Sequence, residues 1–188
     1  MVIWITGISA AGKTTICQSL WDLLKPDLPE LAILDGDVVR NVFSNDLGYT
    51  EAERVQQIER IQSIATMLDT QGFVVLVAAL YGNKKLLSWN RENFNDYYEV
   101  YIDAPLWLVQ QRDPKNLYSK ASSGEMDNVV GIDIEWHVPE ASDMIIDATK
   151  NVSPEIISKN IIENIFKYLF LCKSIILPQL VIRKKSGL

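Results

Sequence analysis

The sequence predicts an α/β fold, a parallel β-sheet covered by helices on both faces. Three observations predict it. Short apolar runs recur along the chain, longer segments between them carry helical periodicity, and a glycine-bearing loop joins the first run to the first helix. Strands that alternate with helices pair in parallel, and a parallel sheet needs cover on both faces. The length of 188 residues suits one such domain with a core of its own.

Taken in order, residues 2–6 (VIWIT) read as the first strand and 13–24 as the first helix. A second strand follows at 31–35 (LAILD). Residues 51–71 form a long helix, because Val55, Ile58, Ile61, Ile64, Ala65 and Leu68 recur at three- and four-residue steps on one face. Thr50 with Glu53 makes a capping box at its start, and Gly72 a stop. Further buried strands are expected at 73–80, 98–102 and 143–147. The last helix covers 153–172, with Ser153 as N-cap and Pro154 in the first turn.

Residues 113–138 break this alternation, being polar and poorly periodic. A stretch of that length inside a compact domain suits a lid or binding loop; a surface insertion is the rival reading. The domain is therefore placed at 1–172, with 173–188 as a C-terminal extension. In that extension Ile175, Ile176, Leu177, Leu180, Val181 and Ile182 need cover. Packing on the parent domain is the first expectation and a homodimer contact the second. The basic run at 183–185 makes a membrane surface a third and weaker one.

Composition narrows the function classes. A net charge of −6 disfavours nucleic acid as a partner, while a small anion needs only a local cluster of donors. Cys17 and Cys172 lie far apart, and with the lone His137 they build no metal site, so a reduced, cytoplasmic protein is expected. The amino terminus has no basic lead or cleavage site, and no apolar run reaches the ~20 residues of a spanning helix.

The segment "GISAAGKT", residues 7 to 14, matches G-x-x-x-x-G-K-[ST] between a strand and a helix, where that motif has its chemistry. Gly7 and Gly12 permit a backbone that turns N–H groups onto phosphate oxygens, and Ser9, Ala10, Ala11 and Thr15 complete the cradle. Lys13 brings a charge to the outer phosphates of ATP, and Thr14 offers its hydroxyl to Mg²⁺. A GTP-dependent switch is a poor fit. "DTQG" at 69–72 falls near a helix end, and "NKKL" at 83–86 has Leu86 where an acid would read guanine. A non-catalytic nucleotide-binding module is the other rival.

The segment "LDGDVVR", residues 34 to 40, places Asp35, Asp37 and Arg40 just after the second strand. Ligands of parallel sheets bind at the carboxyl ends of strands, so these residues should reach the crevice that Lys13 faces. Two acids beside a Mg-nucleotide can order the metal's waters and accept a proton from an attacking hydroxyl. Arg40 can hold an anion on the acceptor. The plainer alternative is that Asp35 or Asp37 caps a helix.

From residue 2 to about 149 the chain resembles the adenylylsulfate (APS) kinase family. The resemblance is carried by "GISAAGKTT", "LDGDVVRNVFSNDLGYTEAER", "RDPKNLY" and "GID" followed by Pro139. It implies transfer of the γ-phosphoryl of ATP to the 3′-hydroxyl of a small nucleotide acceptor, adenylyl sulfate by family. By the same resemblance the fold is that of a phosphate-loop nucleotide kinase with a lid, Asp37 lies beside the reacting hydroxyl, and Lys115 comes in from the lid. The place of Asp35 after the second strand suits it to order water on Mg²⁺ beside Thr14. Arg112 would stand on the ATP side. Arg40 and Arg54 would bind the acceptor's anionic end, and Tyr49 would stack on its base.

The departures from the family pattern lie on the acceptor side. "QQIER" at 56–60 replaces the usual E-N-I-R-R, giving Gln57 for Asn and Glu59 for Arg. "ALYG" replaces S-P-Y-R, and Val129-Val130 replaces Phe-Thr before "GID". Further along, "EWHVP" stands in the P-E-x-P region. Losing one aromatic stacking partner costs ~1–3 kcal/mol per base. A different acceptor is therefore an alternative, such as the cytidine diphosphoramidate used by some relatives of the family.

Overall fold

The computed structural model describes residues 1–80 and 82–173, with side chains as far as Lys167. The elements are β1 (Val2–Thr6), α1 (Lys13–Leu24), β2 (Leu31–Asp35), α2 (Gly36–Val42), α3 (Glu51–Thr70) and β3 (Val74–Ala79). They continue with α4 (Lys84–Asn93), β4 (Tyr97–Asp103), α5 (Leu106–Arg112), α6 (Leu117–Ser122), β5 (Met144–Asp147) and α7 (Pro154–Lys173). The strands form one sheet in the order β2-β3-β1-β4-β5, and all four pairings are parallel. The expected strands lie within two residues of the observed ones.

β1 is central because every side chain of "VIWIT" is buried, which only a strand covered on both faces allows. The chain moves from β1 to β2 in one direction and back to β3 in the other. Right-handed crossovers then put α1 and α3 on opposite faces. α7 packs against α1, and α4 against α3. The predicted face of α3 is the packed one, with Ile58, Ile61 and Ala65 buried against the sheet. Thr50 and Glu53 form the reciprocal capping box.

Three short helices, α4, α5 and α6, were not among the sequence expectations, and α2 was there only as the alternative in which Asp35 or Asp37 caps a helix. α2 grows directly from β2, with Asp35 as its N-cap, accepting from the N–H groups of Asp37 and Val38. α4 begins at Asn83, whose side chain accepts from Leu86 N–H, so "NKKL" is a helix cap. Asp69 lies in the last turn of α3.

The segment 113–138 is mostly exposed and anchored at a few buried side chains. It holds α6, a bridge between Val130 and Ile134, and buried Tyr118, Val129 and Val130. Asp113 accepts from Leu117 and Ser119 N–H and so starts α6. Asp133 accepts from Asn128 and Val129 N–H and closes the second turn. The expectations for Ile175 to Ile182 and for the basic run 183–185 fall outside the described residues. Among the described residues no helix is long and apolar enough to cross a membrane.

Candidate active site

A cleft of about 1160 Å³ opens at the carboxyl ends of the strands. Residues 9–18, the start of α2, the first turns of α3 and the segment 112–129 contribute to its walls. Of the residues singled out in the sequence, Lys13, Thr14, Asp35, Asp37, Arg40, Tyr49, Arg54, Gln57, Arg112, Lys115 and Val129 all line it.

The loop after β1 needs both of its glycines. A Cβ on Gly7 would stand 2.9 Å from the Ile102 carbonyl oxygen, and Gly12 adopts φ 111°, where a side chain is strained. Ala10 also takes a left-handed conformation, with φ 60°. The carbonyls of residues 8 to 11 are each met by a side chain. Lys13 Nζ donates to Ile8 O at 2.8 Å, and Tyr118 Oη to Ser9 O at 3.0 Å. Arg112 Nη1 reaches Ala10 O at 3.5 Å and Ala11 O at 3.3 Å, while its Nη2 reaches Ala148 O at 3.3 Å. In the sequence Tyr118 is only the last residue of "RDPKNLY", with no role assigned to it; its burial identifies it as an anchor.

Burial lowers the Lys13 ammonium to a pKa of about 8, against the opposing pull of Asp37 and Asp35. A phosphate binds the protonated amine and holds its proton on. ADP affinity is therefore expected to be full below about pH 8 and to fall as pH rises through that value. Titration calorimetry from about pH 7 to about pH 9.5 checks this. A flat affinity across that span would mean that Lys13 does not meet the phosphates.

Asp35 serves two purposes. Its Oδ1 caps α2, while its Oδ2 accepts from Thr14 Oγ1 at 2.6 Å. Helix cap and site acid are thus one residue. The hydroxyl–carboxylate pair presents hard oxygen donors beside the phosphate loop, which suits a cation that keeps its waters and takes phosphate oxygens. Among the described residues no cluster of three or more His, Cys, Asp or Glu side chains suited to a metal is found. Asp37 is exposed, and its Oδ2 accepts from Lys115 Nζ, reaching in from the segment 113–138. That hydrogen bond raises the lysine's pKa.

The cleft wall just before α3 is built around Tyr49, half exposed. The Arg40 guanidinium lies 4.6 Å from its ring centroid and that of Arg54 5.4 Å. Arg40 is buried and also donates to Leu47 O at 2.9 Å and Gly48 O at 2.8 Å. Arg54 donates to Tyr49 O at 2.9 Å and to Asn128 O at 2.6 Å. Both arginines thus shape the cleft wall as well as lining it. Gln57 is buried and donates to Gly36 O at 3.2 Å, tying α3 to the start of α2. Of the family departures, Ala79, Leu80 and Val129 form apolar parts of the wall, while Gly82 is buried against Leu87. Glu59 points to solvent.

The profile of the protein family described as adenylylsulphate kinase matches residues 1–147. The chain belongs to the adenylylsulfate kinase family. The cytidine diphosphoramidate kinase of Campylobacter jejuni is 37% identical over 150 residues, covering 80% of this chain and 88% of that protein. The adenylyl-sulfate kinase of Pseudomonas aeruginosa is also 37% identical, over 163 residues, covering 86% and 83%. Among solved structures, the Mycobacterium tuberculosis APS kinase in complex with AMPPNP and APS superposes with a TM-score of 0.81. It is 30% identical, and the match covers 88% of this chain and 96% of that one. A shikimate kinase from Aquifex aeolicus, 17% identical with a TM-score of 0.56, shares the fold. Membership in the adenylylsulfate kinase family makes this chain a kinase, a phosphotransferase acting on a hydroxyl group.

Proposed function

We propose that this family member transfers the γ-phosphoryl of ATP to the 3′-hydroxyl of a small nucleotide, with adenylyl sulfate as the acceptor that the family indicates. The observation that supports it most is a single cleft. It holds Lys13 and the Thr14–Asp35 pair at one end and Tyr49 with its two arginines at the other, and Asp37 and Lys115 meet across it. In this reading the loop 7–15 cradles the phosphates, and Lys13 leaves the Ile8 carbonyl to meet them. The hydroxyl of the acceptor lies beside Asp37, which accepts its proton. Lys115, released from Asp37, then brings positive charge to the transferring group. Thr14 and Asp35 would hold Mg²⁺, Asp35 partly through water; the ion supplies charge neutralisation on the phosphates. Cytoplasmic placement belongs to the same reading.

A second acceptor, cytidine diphosphoramidate, is favoured by the cleft wall. Tyr49 is its one aromatic side chain among the described residues, and buried Val129 stands where the family usually has a second. A wall with one ring grips a large base less firmly than a sandwich does. The test is ADP release with ATP and a panel of nucleoside 5′-diphosphate analogues that includes adenylyl sulfate and cytidine diphosphoramidate. A kcat/KM at least about tenfold higher for one of the two assigns the acceptor. ATP binding with no acceptor-dependent ADP release would leave a nucleotide-binding module in place of a kinase.

A further inference from the structure

The platform carrying Tyr49 is built from a segment that would not hold its shape unaided. Residues 43–50 connect α2 to α3, and Ser44 and Asn45 are consecutive left-handed residues, with φ 56° and 53°. Asparagine tolerates that region, but serine is strained there, so the surrounding contacts must hold the turn. The holding group comes from α3. Arg60 lays a two-pronged fork on Asp46, Nη1 to Oδ1 and Nη2 to Oδ2, both at 2.9 Å. Its guanidinium carbon also lies 4.0 Å from the centroid of the Phe43 ring. From Asp46 the chain runs straight into Leu47 and Gly48, whose carbonyls receive Arg40, and then into Tyr49. Gln57, one turn earlier on α3, accepts from the same guanidinium at 3.4 Å.

We propose that Arg60 is a positioning residue for the acceptor. Through its fork on Asp46 and its stack on Phe43, it fixes the connection 43–48 so that Tyr49 and Arg40 stand in place before the acceptor arrives. The inference rests on the reading of this end of the cleft as the acceptor site. A general stabilising role would look different, because the pair is partly exposed, with 20% of the Arg60 and 49% of the Asp46 side chain accessible. Exposed ion pairs add little to global stability, whereas a planar fork sets geometry.

Arg60→Lys keeps the charge and loses the fork. We expect the acceptor KM to rise by roughly tenfold or more, while the ATP KM and the melting temperature barely move. Asp46→Asn should do the same, and the double variant should be no worse than the weaker single one, because both changes break one contact. Amide hydrogen exchange of residues 43–50 should quicken by about tenfold in each variant, with the phosphate loop unchanged. Equal rises in both KM values, additive losses or unaltered exchange in 43–50 would each overturn the proposal. If the wild-type protein turns over no nucleotide acceptor, the functional reading fails by itself. Exchange in 43–50 then decides the clamp: quickened exchange upholds it, and unaltered exchange removes it.

Discussion

Turnover by Lys13→Ala is expected to fall by roughly 10²- to 10³-fold, the cost of removing one positioned charge from a transferring phosphoryl group. The fold should survive the change. Lys13 opens α1 and its amine rests on the Ile8 carbonyl, but that carbonyl also accepts from Ala11 N–H at 3.2 Å and keeps a partner when the lysine is gone. The amine is half-buried and reluctant to carry its proton, so losing it relieves a desolvation cost as well as a contact. A melting curve close to wild type with ADP release near background is the expected pair of results. Near-native turnover would remove residues 7–14 as the ATP site.

Asp37→Asn is expected to lower kcat by roughly 10²-fold or more while leaving ATP affinity nearly unchanged. The amide keeps the shape of the side chain and loses both its charge and its ability to take a proton. Because Asp37 also holds Lys115, two roles must be separated. If the acid only parks the lysine, Lys115→Ala should cost as much as Asp37→Asn, and the pH–rate profile should keep its acidic limb in both. If the acid takes the proton, Asp37→Asn costs more and that limb is lost. Normal turnover by Asp37→Asn would leave the acid with no part in the chemistry.

The parts of the molecule legible in the sequence are those whose physics is local. "VIWIT" and "FVVLVAAL" read as strands buried on both faces, and Thr50 with Glu53 announces α3. The phosphate loop is legible because its glycines, lysine and hydroxyl must stand at fixed offsets. The short helices escape for the opposite reason. α2 and α5 have seven residues and α6 has six, less than two full turns, so periodicity has little room to show. α4 is longer, but its buried face is only Leu86, Leu87 and Asn90.

Within the cleft, which residues line it was legible in the sequence and their partners were not. Arg40 and Arg54 read as anion binders, yet each also holds backbone carbonyls and packs against Tyr49. Asp35 reads as either a cap or a metal-side acid, and it faces both ways at once. Tyr118, Asp133 and Arg60 act on residues 109, 4 or 5, and 14 positions away, and nothing in their own neighbourhoods reveals those contacts.

The side chains that meet the carbonyls of residues 8 to 11 also have an electrostatic consequence. Each peptide unit is a dipole, and in this loop the negative ends are covered by an ammonium, a phenol and a guanidinium. The Ala11 N–H turns back to the Ile8 carbonyl, and the two cationic groups on the loop's carbonyls give it an outward positive field before any guest arrives. An anion completes that balance, whereas a neutral molecule of the same shape does not. The loop thus selects for charge before the rest of the cleft selects for shape: a bare nucleoside draws nothing from this field, and each added phosphate draws more.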